Sequence, residues 1–130
     1  MQNLYGQLAA LYGASAVLLG AFGAHALKKY LNEYSMSIYE KAVSYQFIHT
    51  GALLIVAILL FKKTNTLLMW SGNCFALGIL LFSGSLYLLA NKSNLGLEKM
   101  TSILGPLTPI GGLFLLSGWI ILFLFFLKSN

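Results

Sequence analysis

Four long apolar runs, each closed by lysine, set the plan of this chain. The first covers about residues 4–27 and carries no charge until Lys28. The second covers about 44–61 and stops at Lys62 and Lys63. The third covers about 67–90 and stops at Asn91 and Lys92, and the fourth covers about 103–127 and stops at Lys128. A helix crosses roughly 30 Å of hydrocarbon with about 20 mostly apolar residues, and each run is long enough. A lysine at the bilayer centre costs about 2.5–3.5 kcal/mol, so lysines belong at span ends. A span must satisfy its own backbone in lipid, which leaves helices and closed barrels. The short alternating segments of a barrel are missing. The pattern therefore predicts an all-α fold, a four-transmembrane-helix bundle forming a single integral membrane domain over residues 1–130. The first run lacks a positively charged lead-in and exceeds the apolar region of a signal peptide, so it is read as a span.

The connections add detail. Residues 62–66 form a turn so tight that the second and third spans must be antiparallel neighbours. Residues 28–43 have a pattern of their own. Tyr30, Leu31, Tyr34, Ile38, Tyr39 and Ala42 recur near helical spacing, with Lys29, Asn32, Glu33, Ser37, Glu40 and Lys41 filling the other side. Such a stretch reads as a helix lying in the membrane interface, or as an N-terminal extension of the second span. Loops one and three share a side and hold five lysines (Lys28, Lys29, Lys41, Lys92 and Lys99) against Lys62, Lys63 and Lys128 on the other. Counted by the positive-inside rule, this split puts both termini outside the cytoplasm.

Small residues mark where the helices meet. Gly6, Ala9, Gly13, Ala16, Gly20 and Gly23 alternate steps of three and four, forming a seam down the first span. Ser71, Gly72, Gly78, Ser83, Gly84 and Ser85 serve the third span, and Gly105, Gly111, Gly112, Ser117 and Gly118 the fourth. Lipid gives no hydrophobic reward for helix contact, so close backbone approach at small residues has to supply the attraction. The expectation is tight packing and no wide pore.

Polar residues inside spans face the bundle interior or a water-filled cavity. By span boundaries, His25, Gln46, His49, Ser83, Ser85, Tyr87 and Thr108 all fall in the half of the membrane facing loops one and three. They form a candidate polar cluster, with His25 and His49 as proton-handling or ligand-binding groups. The competing and favoured reading is that they hydrogen-bond across helices and hold the bundle together. Asn73 and Cys74 lie nearer the other face, and two histidines fall short of the three or four ligands of a stable metal site. No metal or other cofactor is expected. Pro106 and Pro109 suit a helix entry. With Gly111 and Gly112 behind them, they allow either a broken helix lining a site or a kink that fits a neighbour.

Composition narrows the function classes. Charged residues make up 8% of the 130, about a third of what a water-soluble domain carries, and mean hydropathy is +0.81. The bilayer is the first partner. The net charge of +5 comes with no arginine, which argues against nucleic acid. The only carboxylate side chains, Glu33, Glu40 and Glu98, lie in loops, so no Ser-His-acid triad or buried transport carboxylate can be assembled. The sequence contains no phosphate loop and no HExxH motif. One cysteine, Cys74, permits no intrachain disulfide.

Residues 20–28 (GAFGAHALK), 45–49 (YQFIH), 81–89 (LFSGSLYLL) and 108–112 (TPIGG), with Gly118 and Trp119, resemble the YgdD/YwdK family of small four-pass membrane proteins. The resemblance runs in order along nearly the whole chain. It implies a four-helix protein of the cell membrane, the inner membrane in bacteria, and supplies neither a reaction nor binding residues. The expected role is a non-enzymatic structural or accessory component that forms a homo-oligomer or joins a larger membrane complex. Proton-linked or small-molecule permeation through the histidine cluster is the alternative. A third reading is lipid binding at Lys28 and Lys29.

Overall fold

The computed structural model describes residues 2–129. Four helices are long and apolar enough to cross a membrane. Helix α1 is Gln2–His25, α2 Glu33–Lys62 and α3 Thr66–Ala90; a single turn, α4 (Lys92–Leu95), precedes α5, Thr101–Lys128. Short 3-10 turns at Leu27–Lys29 and Glu98–Met100 complete the two longer connections.

Local chemistry explains the boundaries. Asn32 caps α2 by accepting the Ser35 backbone N–H at 2.8 Å, with Glu33 in the first turn, where a carboxylate favours the helix dipole. Asn65 caps α3 by accepting from the N–H groups of Leu67 and Leu68, which lets the chain reverse within three residues of Lys62. Gly96 ends α4 with φ +66°, a conformation glycine adopts without steric cost.

Residues 33–43 are the first turns of α2, with no separate interfacial helix. At 30 residues and 1.5 Å each, α2 is about 45 Å long and outreaches the hydrocarbon. Its charged early turns therefore need not enter it. Helix α5 likewise begins before the proline pair, so Pro106 and Pro109 lie inside it and the helix runs through unbroken. This corrects both the helix-entry and the broken-helix expectations.

The spans pack in chain order. Helix α1 rests on α2, α2 on α3 and α3 on α5, and α3 with α5 is the most extensive contact. Helices α1 and α5 make no extensive approach to each other, so the four form a row with α1 and α5 at its edges. The apolar core lies toward the Lys62–Thr66 turn. It is built from Leu53, Val56 and Leu60 of α2, Leu68 and Phe75 of α3, and Leu122 of α5, with Tyr5 and Ala9 from α1.

Glycines set the helix separations. A Cβ on Gly111 would strike the backbone of Phe82, so α5 touches the main chain of α3 at this point. Gly118 admits the Phe75 ring and Gly78 admits Leu115. On α1, Gly13 faces Thr50 and Gly20 faces Val43, at 3.6 and 3.4 Å from a built Cβ, while Gly23 accommodates Tyr39. Gly6 and Gly84 have nothing within 4 Å and Gly112 makes only ordinary contact with Phe82. The α1 seam is thus closed from Ala9 to Gly23 and open at Gly6.

Candidate functional site

Beyond the apolar core, toward loops one and three, the helix interfaces are joined by polar side chains. Gln46 is their hub and is 4% exposed. Its Nε2 donates to the Tyr12 carbonyl and to Ser15 Oγ, both at 2.8 Å, and its Oε1 accepts from the Tyr87 hydroxyl at 2.7 Å. One side chain therefore links α1, α2 and α3. Ser83 Oγ donates to the Ala42 carbonyl at 2.8 Å, and the Tyr39 hydroxyl to the Leu19 carbonyl at 2.5 Å. The Tyr39 and Tyr87 rings meet edge to face, with centroids 5.1 Å apart. Ser85 and Thr108 hydroxyls lie 2.7 Å apart and tie α3 to α5. Buried polar atoms are tolerated in this setting because each has a partner.

The two histidines are not brought together. Gly13 lies opposite Thr50 and Gly20 opposite Val43, so a step of seven along α1 matches a step of seven along α2. His49 therefore falls beside position 14, eleven residues from His25, which is roughly 16 Å of helical rise. His25 is solvent- or lipid-exposed at the end of α1. Among the described residues its side chain forms no hydrogen bond. His49 is 6% exposed and sits at the middle of α2. Its Nδ1 lies 2.7 Å from the Tyr45 carbonyl, so this nitrogen carries the proton and donates. Rings of Tyr45, Phe75 and Trp119 surround it at centroid distances of 5.5–6.2 Å. The expected cluster thus divides into the network of Gln46, Ser83, Ser85, Tyr87 and Thr108, a packed His49 and a separate His25.

Tyr12, Ser15 and Tyr39 belong to the network but are outside the cluster expected from sequence, where Tyr39 is read only as part of the apolar face of residues 28–43. Their partners are largely backbone carbonyls, which leave no mark in a residue pattern. One signal was available. Tyr5 and Tyr12, seven residues apart on an apolar helix, both reach α3, Tyr5 at the Met69 carbonyl and Asn73 and Tyr12 at the Ala76 carbonyl. Among the described residues, Thr50 is the exception to satisfaction, because its buried Oγ1 has no partner.

Between α1 and α3 the row leaves an open cleft. Leu19, Phe22, Tyr39, Tyr87, Leu88 and Asn91 line a cavity of about 490 Å³. Tyr87 also borders a smaller one of about 160 Å³ against Tyr12 and Gln46. Among the described residues, no three His, Cys, Asp or Glu side chains are grouped to hold a metal ion.

The comparisons with known proteins point to membrane proteins. A UPF0382 membrane protein of Staphylococcus haemolyticus is 42% identical over 115 residues, 88% of each chain. One from Haemophilus influenzae is 40% identical over 120 residues, 92% of this chain and 90% of the relative. The UPF0382 inner membrane protein YgdD of Escherichia coli K12 is 40% identical over 111 residues, 85% of this chain and 79% of the relative. No solved structure matches. The family model described as Protein of unknown function (DUF423) matches residues 19–112, a stretch holding Gln46, Tyr87, Thr108 and the Gly111–Phe82 contact. With most of its length matched and four helices able to span a bilayer, this chain belongs to the DUF423 family and is a multi-pass membrane protein.

Proposed function

We propose that this chain is a non-enzymatic structural or accessory component of a membrane assembly, built from copies of itself or joined to a larger complex. The observation that supports this is the occupation of the polar groups in the network around Gln46. Both Nε2 hydrogens and the Oε1 of Gln46 are spent on neighbouring helices, as are the hydroxyls of Ser83 and Tyr39. A catalytic or permeation site needs polar groups left available to a substrate. The permeation alternative also loses its paired histidines. On the outward side of α1, Ala10, Ala14 and Ala21 share one exposed face, and small residues there let another helix approach closely.

The test is the size of the particle in its own lipids. Wild type is expected to migrate above one chain on a native gel. Ala14→Leu on the exposed face is expected to return it to a single chain with its helicity unchanged. A wild-type protein that is a lone monomer in native lipid, with no second protein attached, would remove the reading. Lipid binding is the second reading, favoured by the apolar cleft between α1 and α3.

A further inference from the structure

The end of the row opposite loops one and three has a different electrostatic character. All three acidic side chains, Glu33, Glu40 and Glu98, lie toward the loop-one and loop-three surface, where they offset five lysines. The other surface receives the start of α1, the end of α2, the start of α3 and the end of α5. It carries Lys62, Lys63 and Lys128 and no Asp or Glu side chain. Folding gathers these three lysines, which are separated by up to 66 positions in sequence, around one cavity of about 560 Å³. Like charges brought together this way repel, and an anion between them reverses the sign of that interaction.

The walls of the cavity say which kind of anion. Leu59, Leu67 and Phe125 line it with the lysines. Leu59 and Phe125 lie about one helical turn inward from Lys62 and Lys128, and Leu67 lies in the first turn of α3. The site is cationic at the surface and apolar immediately below. A free phosphate would gain nothing from the apolar wall. A phospholipid places its phosphate and its acyl chains at those two depths. The side-chain oxygen of Asn65 is committed to the α3 cap, which leaves its amide hydrogens as further donors for an anion.

We propose that the cavity bounded by Lys62, Lys63 and Lys128 binds the phosphate headgroup of an anionic phospholipid. The site lies at the membrane surface opposite Lys28 and Lys29, the lysines that sequence alone suggested for lipid. It does not depend on the accessory role, because a monomer and an oligomer present the same lysines.

The experiment reads lipid binding to the full chain by native mass spectrometry, after exchange into a neutral detergent and titration with phosphatidylglycerol or phosphatidylcholine. Wild type is expected to bind phosphatidylglycerol at least tenfold more tightly. Removing three surface charges in K62Q/K63Q/K128Q is expected to weaken that binding by roughly a hundredfold, and K128Q alone by about fivefold. K28Q/K29Q is expected to bind like wild type. Circular dichroism checks that each variant keeps its helices, and K128Q serves as the measurement if the triple variant does not fold. Equal binding of the two lipids overturns the proposal. So does full retention by K128Q, an equal loss in K28Q/K29Q, or displacement of the lipid by an equal concentration of inorganic phosphate.

Discussion

The Tyr87 hydroxyl donates to Gln46 Oε1 at 2.7 Å while the same amide donates twice into α1, so two side chains bind three helices. Removing either partner strands the other. Interhelical hydrogen bonds in membranes average about 0.6 kcal/mol and reach about 1.7 by double-mutant cycle. The Gln46–Tyr87 pair belongs at the upper end, because both residues are held by further packing. A cycle of Q46L, Y87F and the double variant, followed by unfolding in mixed micelles, is expected to give a coupling above about 0.6 kcal/mol. Strict additivity would show that the pair carries no shared energy.

Glycines in this chain divide by what lies opposite them. Gly111→Ala drives a methyl into the Phe82 backbone, and main chain cannot rotate away. A loss of about 1–3 kcal/mol is expected, as for other overpacked interfaces. Gly84→Ala meets open space and gains helix propensity, so it is expected to be neutral or slightly stabilising. Thermal unfolding of the two variants side by side decides the matter, and equal melting temperatures would contradict the assigned α3–α5 contact.

Thr50 buries a hydroxyl without a partner, and its methyl is the group that faces Gly13. Valine keeps that methyl and replaces the hydroxyl with an apolar group of similar size. An unsatisfied buried hydroxyl costs about 1–3 kcal/mol. Thr50→Val is therefore expected to raise stability, by up to about 1 kcal/mol once repacking is allowed for. A destabilised variant would show that the hydroxyl has a partner in the membrane.

His25 and His49 are expected to respond differently to alanine. His25 is exposed and lies at a helix end, so His25→Ala is expected to stay within about 0.5 kcal/mol of wild type. His49→Ala empties the space between Tyr45, Phe75 and Trp119 and is expected to cost about 2–4 kcal/mol, as for other large buried rings. Unfolding measurements on both compare them directly. Equal losses would mean that His25 is buried in the membrane-embedded protein.

The number of spans and the all-helical class were legible because lysine is excluded from hydrocarbon and the apolar runs are long. Depth was read less well. Ser44 marks where α2 becomes apolar, while the helix itself begins at Glu33. Hydropathy locates the bilayer boundary, and a helix can pass it. That difference of eleven residues places His49 at mid-helix, and the register of α1 on α2, with Gly13 against Thr50, separates it from His25. Rotation about each axis was also hidden. The glycines of α1 recur at spacings that predict a seam, yet only contact with Val43, Tyr39 and Thr50 distinguishes Gly13, Gly20 and Gly23 from the open Gly6. Backbone acceptors such as the carbonyls of Tyr12, Leu19 and Ala42 have no signature in sequence, so the network became visible only once the helices were placed.

The row of helices has a consequence for biosynthesis. Nearly every contact joins a helix to the one synthesised just before it. Helix α2 can dock on α1, then α3 on α2, then α5 on α3, with few surfaces waiting for a partner made later. Among the exceptions are the bonds from Tyr5 and Tyr12 of α1, which need α3 and lock the first helix once the third is inserted. Another is the His49 ring of α2, which meets Trp119 of α5. Contacts this local favour fast assembly. A chain so arranged can complete itself in the order in which the ribosome delivers it.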